Sequence, residues 1–353
     1  MRTRAVSILA MVVWSLACAA TASADPAVTG YPGSIAATGD SITQAYDADS
    51  LFPPGVRPQY SWAAGNSSKV NSLYLRILAA HPAIAGHAFN DSVTGANMID
   101  LTGQVGSAIT QHAQEVTILL GANDVCTSSV STMTSVTDFR SQFVAGMRKL
   151  SLGLPNARIY VVSIPSVYRL WSVLKGNSAA RAVWSTAHIC QSMLANPLST
   201  AAADVDRRAT VLQRETDFTT QLKQVCAVYV HCRFDGGAVF NYPFVAADAN
   251  TLDYFHPSIT GQATLASVAW SHGFDFTDAT APVSAAALTT IVGGATVALS
   301  ATDNVRVSGI EYRLGTGHYV RYTKPVTVAK GATITWRAVD VNGNIEATHS
   351  RTI

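Results

Sequence analysis

The chain has 353 residues, 48% of them hydrophobic and 13% charged, which supplies a sizeable core and excludes a disordered chain. Lys and Arg number 24 against 22 Asp and Glu, a formal net charge of +2. No local Lys/Arg cluster adds to it, so the electrostatic footprint of a nucleic-acid partner is absent.

The first predicted element is a secretory signal peptide over residues 1–24. Arg2 and Arg4 precede an apolar run from Ala5 to Ala20, and Ala22-Ser23-Ala24 offers a small-residue cleavage site before Asp25. The run is too short and wrongly flanked for a transmembrane segment. A lipoprotein anchor on Cys18 would want a branched apolar residue where Ser15 stands. Taking Arg2 and Arg4 from the basic count leaves 22 basic against 22 acidic side chains on an exported, secreted mature chain.

Next comes SIAATG (34–39), a short buried strand leading to Ser41. Val70, Leu73, Tyr74, Ile77 and Leu78 fall at helical spacing, which predicts a helix over 67–80 capped by Asn66 or Ser67. EVTILLG (115–121) and ARIYVVSIP (157–165) are continuous apolar runs without alternation, as in strands whose two faces are both covered. Between them DFRSQFVAGMRKL (138–150) is a helix with Phe139, Phe143, Met147 and Leu150 on one side. Further helices are expected near 178–195, at 207–229 and at 258–272. Strands alternating with helices predict an α/β fold with a parallel, doubly wound sheet.

Four cysteines lie outside the signal peptide: Cys126, Cys190, Cys226 and Cys232. An even number in an exported chain favours disulfides, and no CxxC pair supports zinc. Three connectivities are open, of which Cys126–Cys190 with Cys226–Cys232 is favoured. The second of these closes a short loop between a helix-like and a strand-like segment.

Around Asp275–Pro282 the texture changes, and FTDATAPVSAAA (276–287) reads as a linker. Short alternating runs follow: TVALSATD, GIEYRLG, HYVRY, PVTVA, TITWRAVD and EATHSRT, each bounded by Gly, Asn or Pro. They predict a small all-β sandwich of immunoglobulin type. The division is therefore a signal peptide (1–24), an α/β domain (25–276) and an Ig-like domain (277–353). The last is similar to the Ig-like modules appended to many secreted bacterial enzymes. Such a module either contacts a polysaccharide or cell surface or serves as a stabilising spacer.

The chemistry lies in four short blocks. GDS (39–41) follows the first strand, and alone it is an ordinary capping turn. NDSVTGANMIDL (90–101) places Gly95 in a loop, with Gly86 and Gly103 flanking it. GAND (121–124) ends the EVTILLG strand, and DYFH (253–256) precedes the last helix of the α/β domain. In an open parallel sheet, loops at the carboxyl ends of the strands share one crevice, so Ser41 and Asn123 face the same place. Asp253 and His256, three apart, can be presented together, the carboxylate on one imidazole nitrogen and Ser41 on the other. His81, His87, His112, His188, His231 and His272 have no Asp three residues before them. No G-x-S-x-G elbow, HExxH pair or Gly-rich phosphate loop is present.

GDSIT, the Gly95 loop, GAND and DYFH, in that order, resemble the SGNH (GDSL-type) hydrolase family over roughly residues 30–272. The resemblance implies a three-layer α/β/α domain and a serine esterase or lipase that needs no cofactor and no metal. It implies Ser41 as nucleophile, His256 as general base and acid, and Asp253 as the group that orients His256. The oxyanion hole would comprise the Ser41 N–H, the Gly95 N–H and the Asn123 side-chain amide. Asp40 and Asp124 would brace the loops. Gln44, Ala45 and Tyr46 depart from the family pattern, which often has Gly shortly after the Ser, so the local shape is expected to differ there. Turnover is expected to rise as His256 sheds its proton.

SVYRLWSVLKG (166–176) leaves the third strand beside the crevice. Val167, Tyr168, Leu170, Trp171 and Leu174 would form an apolar wall for an acyl chain. The expected substrate is a lipid or other small-molecule acyl ester, the alternative a carbohydrate O-acetyl ester. A non-catalytic adhesion protein is the reading from another class. The chain is expected to act as a monomer.

Overall fold

The structure is a computed structural model that describes residues 27–353; the signal peptide lies outside the described residues. The elements of the first part are β1 (Ile35–Gly39), α1 (Leu73–Ala80), β2 (Ala88–Asn90), α2 (Leu101–Thr110), β3 (Glu115–Leu119), α3 (Ala122–Val125), α4 (Val136–Gly153), β4 (Arg158–Val161), α5 (Val167–Leu174), α6 (Ser178–Thr186), α7 (Gln191–Leu194), α8 (Ala202–Cys226), β5 (Cys232–Phe234), α9 (Ala238–Asn241) and α10 (Ile259–His272). The five strands pair in the order β2-β1-β3-β4-β5, all parallel. β1, β3 and β4 are buried at every position, because helices cover both faces. α4 packs on both α2 and α8, with the Phe139 and Phe218 rings stacked 3.8 Å apart, and α1 packs with α10. The result is a three-layer α/β/α unit. No helix among the described residues is long and apolar enough to cross a membrane.

Several element ends differ from the sequence expectation. The helix expected from residue 67 begins at Leu73, because Asn71 adopts φ 52° and Ser72 takes the cap, its Oγ accepting from the Leu75 N–H at 3.2 Å. The helical stretch near 178–195 breaks where His188 and Cys190 enter left-handed conformations. α8 starts five residues before the expected 207, since its first turn, Ala202–Val205, buries no side chain and so leaves no apolar period to reveal it. The three-residue strand β2 is too short to leave a pattern.

The second part holds β6 (Val283–Ile291), β7 (Gly294–Thr302), β8 (Val307–Leu314), β9 (Val320–Arg321), β10 (Val326–Ala329), β11 (Thr333–Asp340) and β12 (His349–Thr352). They form two antiparallel sheets, β10-β7-β6 and β12-β11-β8-β9, around Val297, Leu299, Ile310, Val328, Ile334 and Trp336. Seven strands in two such sheets are the architecture of an Ig-like sandwich. Much of the segment read as a linker is strand: β6 is an edge strand built on alanines, with too few large side chains to show its period.

The sandwich is docked on the parallel-sheet unit. Arg158, 2% exposed at the start of β4, donates to Asn342 O (2.9 Å) and Asn344 Oδ1 (3.2 Å). Arg337 of β11 donates to Asn156 Oδ1 (2.6 Å) and Pro155 O (2.8 Å). The segment before β1 joins in, with Val28 N–H donating to Ile345 O at 3.0 Å.

Candidate active site

β1 ends in Gly39, where a Cβ would lie 2.6 Å from Leu119 O of the neighbouring strand, so only glycine fits. The buried Gln104 side chain grips both backbone groups of Gly39, accepting from its N–H at 2.7 Å and donating to its C=O at 2.8 Å. The chain then turns through residues 40–49. Asp40 Oδ1 accepts from the Ile42 N–H at 2.8 Å, and Gln262 Nε2 donates to Ile42 O at 2.7 Å. Asp40 is fully buried, and burial pushes its carboxyl up to about 7. Ser41 is held between these braces, 5% exposed.

The stretch after Ser41 passes through left-handed backbone. Ala45 and Asp47 take φ 51° and 54°, conformations that glycine adopts more readily. Gln44 Nε2 donates to Ser92 O, tying this turn to the Gly95 loop. The Tyr46 ring lies 5.0 Å from the His256 ring.

DYFH lies in a tight turn before α10. Asn250, fully buried, shapes it: its Oδ1 accepts from the Leu252 N–H (2.8 Å) and the Asp253 N–H (2.9 Å), and its Nδ2 donates to Asp253 Oδ1 (2.8 Å). Asp253 Oδ2 lies 2.5 Å from His256 Nδ1, and His256 Nε2 lies 2.8 Å from Ser41 Oγ. Burial acts to raise the Asp253 carboxyl. The His256 ring, its charge, and the backbone N–H groups of His256 and Phe255 outweigh it and hold the carboxyl below its ordinary value. An ionised carboxylate on Nδ1 fixes the tautomer that leaves a lone pair on Nε2, facing Ser41.

Gly95, at φ 82°, sits in an exposed loop with nothing within 4 Å of where a Cβ would stand. That loop hangs from the site on two sides: Val93 N–H donates to Gly39 O (3.1 Å) and Asn123 Nδ2 to Ala96 O (3.0 Å). Among the described residues, the backbone N–H groups of Ser41 and Gly95 donate to no protein acceptor, and one Asn123 amide hydrogen remains over. Asp124 Oδ2 accepts from the Met98 N–H at 2.9 Å, joining the GAND turn to the Gly95 block. Burial pushes the Asp124 carboxyl up to about 6.

Ser41 and Asn123 line an apolar cleft of about 70 Å³ walled by Val167, Leu170, Val173, Phe244, Phe255 and Leu265. The expected acyl wall is thus only partly in place. Val167 and Leu170 face the cleft, whereas Trp171 and Leu174 are buried on the inner side of α5 and Tyr168 packs on Trp171 at 5.1 Å. At 3.6 residues per turn, positions 167, 170 and 173–174 straddle one stripe, and a two-residue run cannot tell the cleft side from the core side. Arg169 Nε donates to Phe244 O at 2.7 Å and so ties the two walls together.

The motifs did not point to Gln104, Gln262 or Asn250, which hold the site. Only Asn250 left a local signal, an Asn three residues before Asp253 able to close an Asx turn. The cysteines pair as Cys126–Cys190 and Cys226–Cys232. The first anchors the segment just after Asn123, the second joins α8 to β5.

A model of the GDSL-like lipase/acylhydrolase family matches residues 35–269. No curated protein matches the chain significantly. Solved structures similar to it include a protein of Parabacteroides merdae assigned as a GDSL-like lipase, 15% identical, covering 70% of this chain and 98% of that one at a TM-score of 0.42. Another is the psychrotrophic esterase EstA of Pseudoalteromonas sp., 14% identical, covering 68% and 96% at a TM-score of 0.37.

Proposed function

The chain belongs to the GDSL-like lipase/acylhydrolase family, and from that premise we propose that it is a secreted serine esterase acting on apolar acyl esters through an acyl-enzyme on Ser41. The observation that carries the reading is the continuous relay Asp253 Oδ2–His256 Nδ1 (2.5 Å) and His256 Nε2–Ser41 Oγ (2.8 Å) at the mouth of an apolar cleft.

In this mechanism His256 Nε2 takes the Ser41 hydroxyl proton as Oγ attacks the ester carbonyl. The Ser41 N–H, Gly95 N–H and Asn123 amide receive the developing oxyanion, and Asp253 steadies the imidazolium. Collapse expels the alcohol, which leaves with the proton from His256. Water then attacks the acyl-enzyme, gives its proton to His256, and releases the carboxylic acid as Ser41 recovers its hydrogen. Asp40 and Asp124 touch no reacting atom in this scheme; they brace the two loops.

The cleft walls favour an acyl group without charge. A second reading, an O-acetylesterase acting on carbohydrate, is favoured by the cleft volume, since about 70 Å³ is less than half of a cavity that holds benzene. Hydrolysis of p-nitrophenyl acetate, butyrate and palmitate decides between them. A rate that peaks beyond acetate supports the acyl-lipid reading, and a steep preference for acetate supports the second. Equal rates for wild type and Ser41→Ala would overturn both.

A further inference from the structure

Where the sandwich docks, a groove of about 640 Å³ runs along the seam. It lies beside Ala157 and Ile159 at the amino end of β4, the opposite end of the sheet from Ser41. Three guanidinium groups, Arg313, Arg321 and Arg337, line it with a single carboxylate, Glu311. That carboxylate is already engaged: its Oε1 accepts from Arg337 Nε at 2.6 Å and lies 3.0 Å from His231 Nε2. Arg321 donates only to the carbonyls of Ala227 (3.3 Å) and Ser308 (2.8 Å), which carry no charge. Arg313 lies over the Tyr319 ring at 4.8 Å, and its buried Nε has no acceptor. Buried His231 Nδ1 is likewise without a partner. Two positive charges therefore stand without a carboxylate in one concave site of a nearly neutral chain.

The rest of the lining is apolar but broken up. Leu152, Val228 and Val320 remain 42, 57 and 49% exposed, separated by polar groups. Two free cations are far too few for a nucleic-acid backbone, which presents a charge about every 1.7 Å. Isolated aliphatic side chains do not make the continuous face that a lipid surface needs. Arg337 lies over the same Tyr319 ring at 4.2 Å, so it is the scattered aliphatic contacts that suit the C–H faces of sugar rings, while a guanidinium suits an oxyanion in a planar, paired geometry.

We propose that this seam groove binds an acidic polysaccharide, with Arg313 pairing to a carboxylate, sulfate or phosphate group on the sugar chain. The site belongs to neither part alone, since Tyr229 and His231 come from one and Arg313 and Tyr319 from the other. It does not depend on the esterase reading, and it would hold the protein on a surface with the Ser41 cleft at the opposite end of the sheet.

Affinity electrophoresis of the full mature chain tests this, in gels containing polygalacturonate, dextran sulfate, a phosphorylated mannan or neutral dextran. Wild type should be retarded by at least one acidic polymer and not by dextran; which polymer acts identifies the anion. Arg313→Glu should weaken the retardation about tenfold or more with its melting temperature unchanged. Should the Glu variant lose its fold, Arg313→Gln serves, because it keeps an aliphatic stem over Tyr319. No retardation by any acidic polymer, equal retardation by dextran, or wild-type binding by a folded Arg313 variant would each overturn the proposal.

Discussion

Asp253 receives four N–H donors: Asn250 Nδ2, the Phe255 and His256 backbone, and His256 Nδ1. An amide at this position must turn its NH2 toward one of them. Asp253→Asn is thus expected to flip the imidazole tautomer, point Nε2–H at Ser41, and lower kcat about 10⁴-fold; a kcat within tenfold of wild type would contradict the relay. Asn123→Ala removes one proposed oxyanion donor and is expected to cost about 10²–10³ in kcat with little change in KM. A change confined to KM would place Asn123 in substrate binding instead. At this scale the sequence was informative where chemistry imposes local spacing, as between Asp253 and His256. It was silent on Gln104 and Gln262, whose grips on Gly39 and Ile42 join residues 65 and 220 apart in the chain.

The helix beside the cleft is positioned by a buried acid from another element. Glu215 of α8 accepts the Val167 N–H with Oε1 at 2.6 Å and the Ser166 hydroxyl with Oε2 at 3.2 Å, at the first turn of α5. Burial pushes its carboxyl up to about 7. Because the folded value lies above the ordinary 4.5, folding favours the protonated acid. No penalty exists below about 4.5; it grows as pH rises toward 7 and is constant above. Glu215→Gln is expected to match wild type in urea denaturation at pH 4 and to gain on the order of 3 kcal/mol relative to it at pH 8. An equal difference at both pH values would refute this. Strands such as β3 were legible because burial on both faces leaves an unbroken apolar run. The facing of α5 was not, because both of its sides are apolar and the positions of α7 and α8 select the one that packs inward.

The whole molecule turns on how the sandwich is attached. The alternation of β7, β8 and β11 announces an all-β module, but nothing local announces a docked one, since the seam is made of single residues from distant segments. Asn344, fully buried, is its centre. It accepts from Gly30 N–H (3.0 Å) and Arg158 (3.2 Å), and donates to Asp278 O (2.9 Å) and Asp340 Oδ2 (2.8 Å). Replacing it by Ala would strand the Arg158 guanidinium, itself buried at the start of β4, with one fewer acceptor. Leaving buried charged and polar groups unsatisfied costs about 1–3 kcal/mol each, so Asn344→Ala is expected to lower stability by about 2–4 kcal/mol. The form of the loss matters more than its size. A module acting only as a tethered spacer would melt on its own, and the substitution would shift that transition while leaving the other untouched. A module docked through Arg158, Arg337 and the segment at Val28 shares one cooperative unit with the α/β/α layers. Calorimetry of wild type is then expected to show a single transition, which Asn344→Ala moves as a whole. Two transitions, with loss of p-nitrophenyl ester hydrolysis tracking only the unshifted one, would show the seam to be too weak to couple the two parts.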